Sequence, residues 1–295
     1  MRVLVTGVTG QLGHDCVLEL KDRDIEVQGV SSRDFPLTDA EAMRRYMEAY
    51  KPSVVIHCAA YTAVDRAEDD EARCMAVNAQ GTAALARLCR DFHAKMVYIS
   101  TDYVFPGDGT EPYEIDDPKG PKNVYGKSKL EGEEAVQQIL RRFFIVRISW
   151  VFGINGGNFV RTMLRLGRTH KELTVVDDQV GSPTYTRDLA VLLADMIQTE
   201  RYGIYQATNE GFCSWAEFAA EIFRQAGMDV KVVPVPSSAY PTRAVRPHNS
   251  RLSKASLTKA GFSLLPRWQD AIGRYFIELE SLKEQEAREE EMAQV

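Results

Sequence analysis

The sequence predicts an α/β protein: a Rossmann-type doubly wound parallel sheet with a smaller C-terminal substrate-binding domain. Three observations lead there. Short β-branched runs alternate with segments of helical period through the first half of the chain. A Gly-x-x-Gly-x-x-Gly turn (Gly7, Gly10, Gly13) follows the first of those runs and opens a helical pattern. The strand runs, such as Val54-Val-Ile56 and Met96-Val-Tyr-Ile99, are apolar throughout, as a sheet covered on both faces requires.

In chain order, strands are expected at Arg2–Thr6, Ile25–Val30, Ser53–Cys58, Lys95–Ser100 and Phe143–Ile148. Between them, Gln11–Lys21 carries Leu12, Cys16 and Leu20 on one helical stripe. A second helix, Asp39–Tyr50, is entered through Thr38-Asp-Ala-Glu41, which reads as a capping box. A third spans about Asp69–Phe92. Beyond about residue 153 the pattern loosens, with Gly, Pro and Asn frequent around Gly153–Gly157, Gly181–Pro183 and Pro234–Pro247. The expected division is a nucleotide-binding domain over 1–153 with a return segment near 186–208. A substrate-binding domain from 154–185 and 209–277 would pack over the carboxyl ends of the strands. A charged helical tail over 278–295 is expected to fray into solvent.

At 295 residues the chain can bury a substantial core, and 44% hydrophobic with 26% charged residues is ordinary for a globular protein. A net charge of −6 leaves no basic footprint, so no nucleic acid partner is expected. No apolar run approaches the ~18 residues needed to span a bilayer, so no membrane partner is expected either. The first strand begins at once, leaving no room for a signal peptide, and the five cysteines show no Cys-x-x-Cys. A reducing cytoplasm fits.

The glycine turn is the expected dinucleotide site. Gly7 and Gly10 permit a tight turn and close approach of backbone to a pyrophosphate, Gln11 and Leu12 begin the helix beneath it, and Gly13 lets that helix pack closely. The second strand ends Ser31-Ser32-Arg33-Asp34. An acid at this tip suits the ribose hydroxyls of NAD, whereas an Arg suits the 2′-phosphate of NADP. Arg33 as a phosphate clamp, with Ser31 or Ser32 as hydroxyl donors, favours NADPH; NADH is the alternative. The blander reading is a solvated Arg33–Asp34 pair.

Tyr125 and Lys129 stand at i and i+4, on one helix face. An ammonium beside the phenol would lower the tyrosine pKa from ~10 and let it protonate a carbonyl oxygen near neutrality. Such pairs arise often by chance; the position of this one, downstream of the glycine turn, gives it weight. The fourth strand ends in Ser100-Thr101, at the ligand crevice of a parallel sheet. Thr101 is the expected hydrogen-bond partner of a substrate carbonyl oxygen, with Ser100 the alternative. The chemistry that follows is hydride delivery from a nicotinamide while Tyr125 protonates the developing alkoxide. Thr101 and Lys129 would stabilise that oxyanion, and Lys129 would also hold the nicotinamide ribose.

Taken together and in this order, the motifs resemble the extended short-chain dehydrogenase/reductase superfamily, and within it the dTDP-4-dehydrorhamnose reductase family, from residue 1 to about 277. The blocks that carry the resemblance are His57–Glu68, Ser100-Thr-Asp-Tyr-Val-Phe105, Asn123–Gly132, Arg147-Ile-Ser-Trp-Val-Phe-Gly153, Asp177–Tyr185 and Arg246-Pro-His-Asn-Ser250. The resemblance implies that Thr101, Tyr125 and Lys129 are the catalytic trio. It places Ala59, Ala60 and Tyr61 against the adenine and ribose side of the cofactor. Thr62, Val64, Tyr103 and Trp150 fall in the sugar pocket, and Asn158, Gln179, Ser182 and Arg246 face the nucleotide end of the substrate. A guanidinium such as Arg246 can fork onto a diphosphate, although a surface ion pair explains it equally well. Trp150, at a strand end, would by itself be read as core.

The implied activity is NADPH-dependent reduction of the 4-keto group of a dTDP-sugar substrate, dTDP-4-dehydro-L-rhamnose, for surface polysaccharide synthesis. Some relatives are metal-assisted homodimers; Asp15 or Asp188 is at most a hint of this, and the sequence shows no dedicated Mg2+ cluster. One departure stands out. Relatives carry an Asp two residues before the Thr of the Thr38-Asp39 pair, where it meets the adenine amino group, and Pro36 occupies that place here. Adenine must then be met differently, for instance by backbone near Leu37. A nucleotide-sugar dehydratase or epimerase is a competing reading, but a dehydratase wants an Asp-Glu pair after the threonine, and Tyr103 follows Asp102. A cofactor-binding regulatory subunit, similar to the β subunit of methionine adenosyltransferase, would not need the intact trio.

Overall fold

The computed structural model describes residues 1–293. The chain begins with β1 (Arg2–Thr6), α1 (Gln11–Asp22), β2 (Glu26–Val30), α2 (Ala40–Tyr50) and β3 (Val54–His57). It continues through α3 (Val64–Ala67), α4 (Glu71–Met75), α5 (Thr82–Asp91), β4 (Lys95–Thr101), α6 (Val124–Ile139) and β5 (Phe143–Ile148). Next come β6 (Val151–Phe152), α7 (Phe159–Gly167), β7 (Glu172–Val176), β8 (Val180–Gly181), β9 (Thr184–Tyr185), α8 (Thr186–Met196) and β10 (Gly203–Gln206). The last elements are β11 (Cys213–Ser214), α9 (Trp215–Gln225), β12 (Lys231–Val235), β13 (Asn249–Ser250), α10 (Ala255–Lys259) and α11 (Trp268–Ala293).

Six of the strands form one parallel sheet in the order β10-β5-β4-β3-β1-β2. Side chains alternate between its faces, as strand geometry dictates. Val3, Val5, Val54, Ile56, Val97, Phe144 and Val146 enter a core shared with α1 and α8, whereas Leu4, Val55, Met96, Tyr98 and Ile145 enter one shared with α2, α5 and α6. Helices thus cover both faces, which is why the strand sequences lack polar alternation. Later in the chain, α8 packs on α1, and β10 pairs with β5. A further core joins Phe152, Val160, Tyr185, Phe218, Ile222, Ile272 and Tyr275, from α7, α9, α11 and their short flanking strands.

Three local expectations are corrected. Asp39, not Thr38, caps α2, its carboxylate accepting from Ala42 N at 2.9 Å, so Thr38-Asp-Ala-Glu41 is not a capping box. The long third helix is interrupted by a π-helical turn, Ala76–Gly81. That wider turn brings Asn78 inward, where it accepts from Tyr61 N (2.7 Å) and donates to Tyr61 O (3.0 Å) and Ser128 Oγ (2.9 Å). The charged tail is no separate element either. It continues α11, which is anchored in the core of α7, α9 and α11 by the fully buried Ile272 and Tyr275, and fraying past Ala293 lies outside the described residues.

Candidate active site

β1 sits between β2 and β3, so the chain leaves it to either side and a crevice opens at the carboxyl ends of β1 and β3. Gly7 turns there with φ +74, and a Cβ on it would stand 2.7 Å from Ala59 N. A Cβ on Gly13 would stand 2.4 Å from Gly7 O. Both glycines are therefore demanded by the close approach of three backbone segments. Gly10 caps α1 with no side chain over its free amides, and no acid lies in the first turn. Those amides, and the partial positive charge at a helix N-terminus, suit a pyrophosphate.

Three clefts meet along this edge. The first, of about 660 Å³, takes Gly7, Gly10, Gln11, Leu12 and Gly13 from the turn and α1, and Ala59, Ala60, Thr62 and Val64 from the segment after β3. Thr101, Tyr103, Tyr125, Lys129 and Trp150 complete it. A smaller cleft of about 260 Å³ is reached across Gly7, Ala59 and Ala60; Ser31, Ser32, Pro36 and Leu37 line it. A third, of about 800 Å³, shares Tyr103 and Trp150 with the first and adds Gln179 and Arg246. Through these shared residues the three clefts form one continuous path.

In the first cleft, Lys129 is buried and its Nζ donates to Ile99 O at 2.7 Å, lying 4.1 Å from the centre of the Tyr98 ring. Burial pulls its pKa down to about 7. The Tyr125 ring packs edge-on against Tyr103 at 5.5 Å. The expectation that the ammonium acidifies this phenol is corrected here. Burial pushes the Tyr125 pKa above its ordinary value, with the Thr101 hydroxyl pulling the other way. The phenol therefore keeps its proton through neutrality, the state a proton donor needs.

Thr101 ends β4 and caps the short 3-10 turn Asp102–Val104, accepting from Tyr103 N at 3.3 Å. Its own proton goes to Asp102 Oδ1 at 3.0 Å rather than toward the cleft. The other carboxylate oxygen of Asp102 accepts from Ser250 Oγ at 2.5 Å. Asp102 is only 3% exposed, and burial raises its pKa to about 6 against those hydrogen bonds. Ser100 also lines the first cleft; its Oγ is buried with no hydrogen-bond partner, a donor available to a ligand.

The remaining predicted residues divide. Arg246 lines the third cleft, donating to Tyr103 Oη (3.1 Å) and Asp65 Oδ2 (2.6 Å), so it is both an ion-pair member and a cleft cation. Gln11 Oε1 is occupied by Gly153 N and Asn158 Nδ2, while the Asn158 Oδ1 caps α7 through Arg161 N. Asn158 is therefore a clamp between α1 and α7 and lines none of the three clefts. Ser182, just after β8, is fully buried, donates to Gly211 O and lines none of the three clefts. Tyr61 is held by Asn78, outside the clefts. Arg33 is exposed beside the small cleft rather than in it, and Asp34 bonds Ser31 N and Oγ instead of pairing with Arg33. Asp15 accepts from Thr186, and Asp188 pairs with Arg274. Among the described residues, no group of three or more His, Cys, Asp or Glu side chains is placed to hold a metal.

Sequence reasoning missed three contributors. Trp215 stacks on Trp150 at 3.7 Å and walls the third cleft; Arg73 and Val77 close the small one. All are brought in by distant chain, with no local motif. Trp150, with left-handed backbone (φ +51), packs against the core of α7, α9 and α11 together with Trp215. Asp102 entered the sequence reading only as the acid that Tyr103, and no second carboxylate, follows.

Residues 1–281 match the family described as RmlD substrate binding domain. The dTDP-4-dehydrorhamnose reductase of Streptomyces griseus is 42% identical over 282 residues, covering 93% of each chain. The spore coat polysaccharide biosynthesis protein SpsK of Bacillus subtilis is 40% identical over 281 residues, covering 95% of this chain and 98% of its own. Among solved structures, the dTDP-4-dehydrorhamnose reductase of Bacillus anthracis in complex with NADP superposes with a TM-score of 0.92 at 41% identity, covering 94% of this chain and 99% of that one.

Proposed function

The chain belongs to the RmlD substrate binding domain family, and from that premise we propose that it reduces the 4-keto group of dTDP-4-dehydro-β-L-rhamnose to dTDP-β-L-rhamnose with NADPH, supplying surface polysaccharide synthesis. The observation that carries the reading is the single cleft holding the glycine turn, Tyr125 and Lys129 together.

Gly7, Gly10 and the first amides of α1 hold the pyrophosphate, and Ala59, Ala60, Leu37 and Arg73 enclose the adenosine side. With Pro36 in place of an acid, adenine meets an apolar wall and the Arg73 guanidinium. Exposed Arg33 beside Ser31 and Ser32 supports a 2′-phosphate and hence NADPH. When bound, the reduced nicotinamide supplies the hydride. Tyr125 hands its phenolic proton to the oxygen that develops charge, and Lys129 stabilises the anion left behind. Tyr103 and Trp150 hold the sugar, and Arg246 meets the diphosphate across the third cleft. Tyr103 stands where a dehydratase would carry its second carboxylate, which leaves plain reduction.

No helix among the described residues is long and apolar enough to cross a membrane. All five cysteines are free, which supports a reducing, cytoplasmic setting. We propose a homodimer, for which the exposed Ile277 on α11 offers an apolar contact. The function is tested by mixing protein, NADPH and the keto sugar nucleotide. Stoichiometric loss of nicotinamide absorbance with formation of the 6-deoxyhexose nucleotide is the expected result; unchanged sugar rejects it.

A further inference from the structure

A hydroxyl has one proton to give and two lone pairs to offer. In Thr101 one lone pair takes Tyr103 N–H and the proton is given to Asp102 Oδ1, at 3.3 and 3.0 Å. An ionised carboxylate only accepts, so while Asp102 is charged, Thr101 has nothing left to donate to a substrate oxygen. A protonated Asp102 reverses this, because its own O–H can be the donor and the Thr101 proton is released to the cleft, where the Tyr125 phenol also faces it. Ser250 is the second anchor: at 2.5 Å it holds Asp102 Oδ2 from β13, on the chain segment that also carries Arg246. The carboxylate is buried, so water cannot take over either contact.

Resting on the reductase reading above, we propose that Asp102 is a positioning residue for the reduction, acting through Thr101 by setting which way the threonine hydroxyl points, with Ser250 holding it in place. The ionisable groups facing Asp102 are the phenols of Tyr103, on its own turn, and Tyr125, on α6. Arg246 and Asp65 reach it only by way of Tyr103. Burial raises the carboxyl pKa to about 6, so the reversal falls within an accessible pH range. Below that value Thr101 donates to the developing oxyanion; above it the proton is withdrawn.

The test is kcat for the keto sugar as a function of pH in the wild type, Asp102→Asn, Thr101→Ala and the double variant, with NADPH affinity measured alongside. In the wild type, kcat falls about tenfold as pH rises through about 6, the loss of one hydrogen bond to charge. Both single variants lose that limb. In the Thr101→Ala background Asp102→Asn costs nothing further, because the route through Thr101 is already gone. Ser250→Ala, which keeps the carboxyl but removes a hydrogen bond that favours its charged form, moves the limb to higher pH. An active wild type with additive variants, or a limb that survives Thr101→Ala, overturns the inference alone. A wild type with no turnover at any pH overturns the reductase reading and the inference with it.

Discussion

Lys129 Nζ donates to the carbonyl oxygen of Ile99 at 2.7 Å, tying α6 to the end of β4. One of the three ammonium donors thus goes to backbone and the charge lies over the Tyr98 ring, which leaves two donors for the ribose and for the anion that proton transfer creates on Tyr125. The ammonium sits where a desolvated charge is costly, and its pKa falls to about 7.

From that follows a trade between stability and activity. An unfolded lysine titrates near ~10.4, so between about pH 7 and pH 10 the unfolded chain binds more protons than the folded one, and wild-type stability rises with pH. Below that window the burial penalty is fully present. Lys129→Met is expected to melt at a higher temperature than wild type at neutral pH, with the gap closing toward pH ~10, while turnover drops by orders of magnitude. Thermal melts across pH check the first part; a gap that widens with pH contradicts it.

Gly7 is a second point of leverage. Its φ of +74, and the 2.7 Å that would separate an added Cβ from Ala59 N, leave no room for alanine. Gly7→Ala is expected to raise the Kd for NADPH at least about tenfold and to destabilise the fold by about 1–3 kcal/mol. Fluorescence titration and denaturant melts measure the two effects separately.

Arg246 tests the nucleotide end of the path. Its partners Asp65 and Tyr103 hold it half-buried at the third cleft, and Arg246→Ala removes a charge-assisted contact to the substrate. KM for the nucleotide sugar should rise about tenfold to hundredfold, with NADPH affinity unchanged. Steady-state kinetics with both ligands varied decide it.

Much of this molecule was legible in the chain because its first half obeys local rules. Apolar strands, the glycine spacing and the Tyr125–Lys129 interval each report on structure within a few residues. The five strands accordingly lie where the pattern puts them, to within two residues at either end. What was illegible depended on contacts across long stretches of chain. Nothing near Asn158 says that it clamps Gln11, and nothing near Ser182 says that its hydroxyl turns to Gly211. The π-helical turn that carries Asn78 to Tyr61 breaks a run that reads as one helix. The electrostatic inference about Tyr125 failed for a related reason: an i, i+4 spacing puts two side chains on one face, but the far end of a lysine goes to whichever acceptor it can reach. Here that acceptor was Ile99 O.

The most direct test of the account is a side-by-side comparison of wild type and Tyr125→Phe for NADPH affinity and for turnover of the keto sugar nucleotide. Phenylalanine keeps the ring against Tyr103 and removes only the hydroxyl. Turnover should fall by about 10²–10⁴ with the NADPH Kd unchanged. A phenylalanine variant that reduces the sugar at the wild-type rate would contradict Tyr125 as the proton donor and, with it, the mechanism proposed for this cleft.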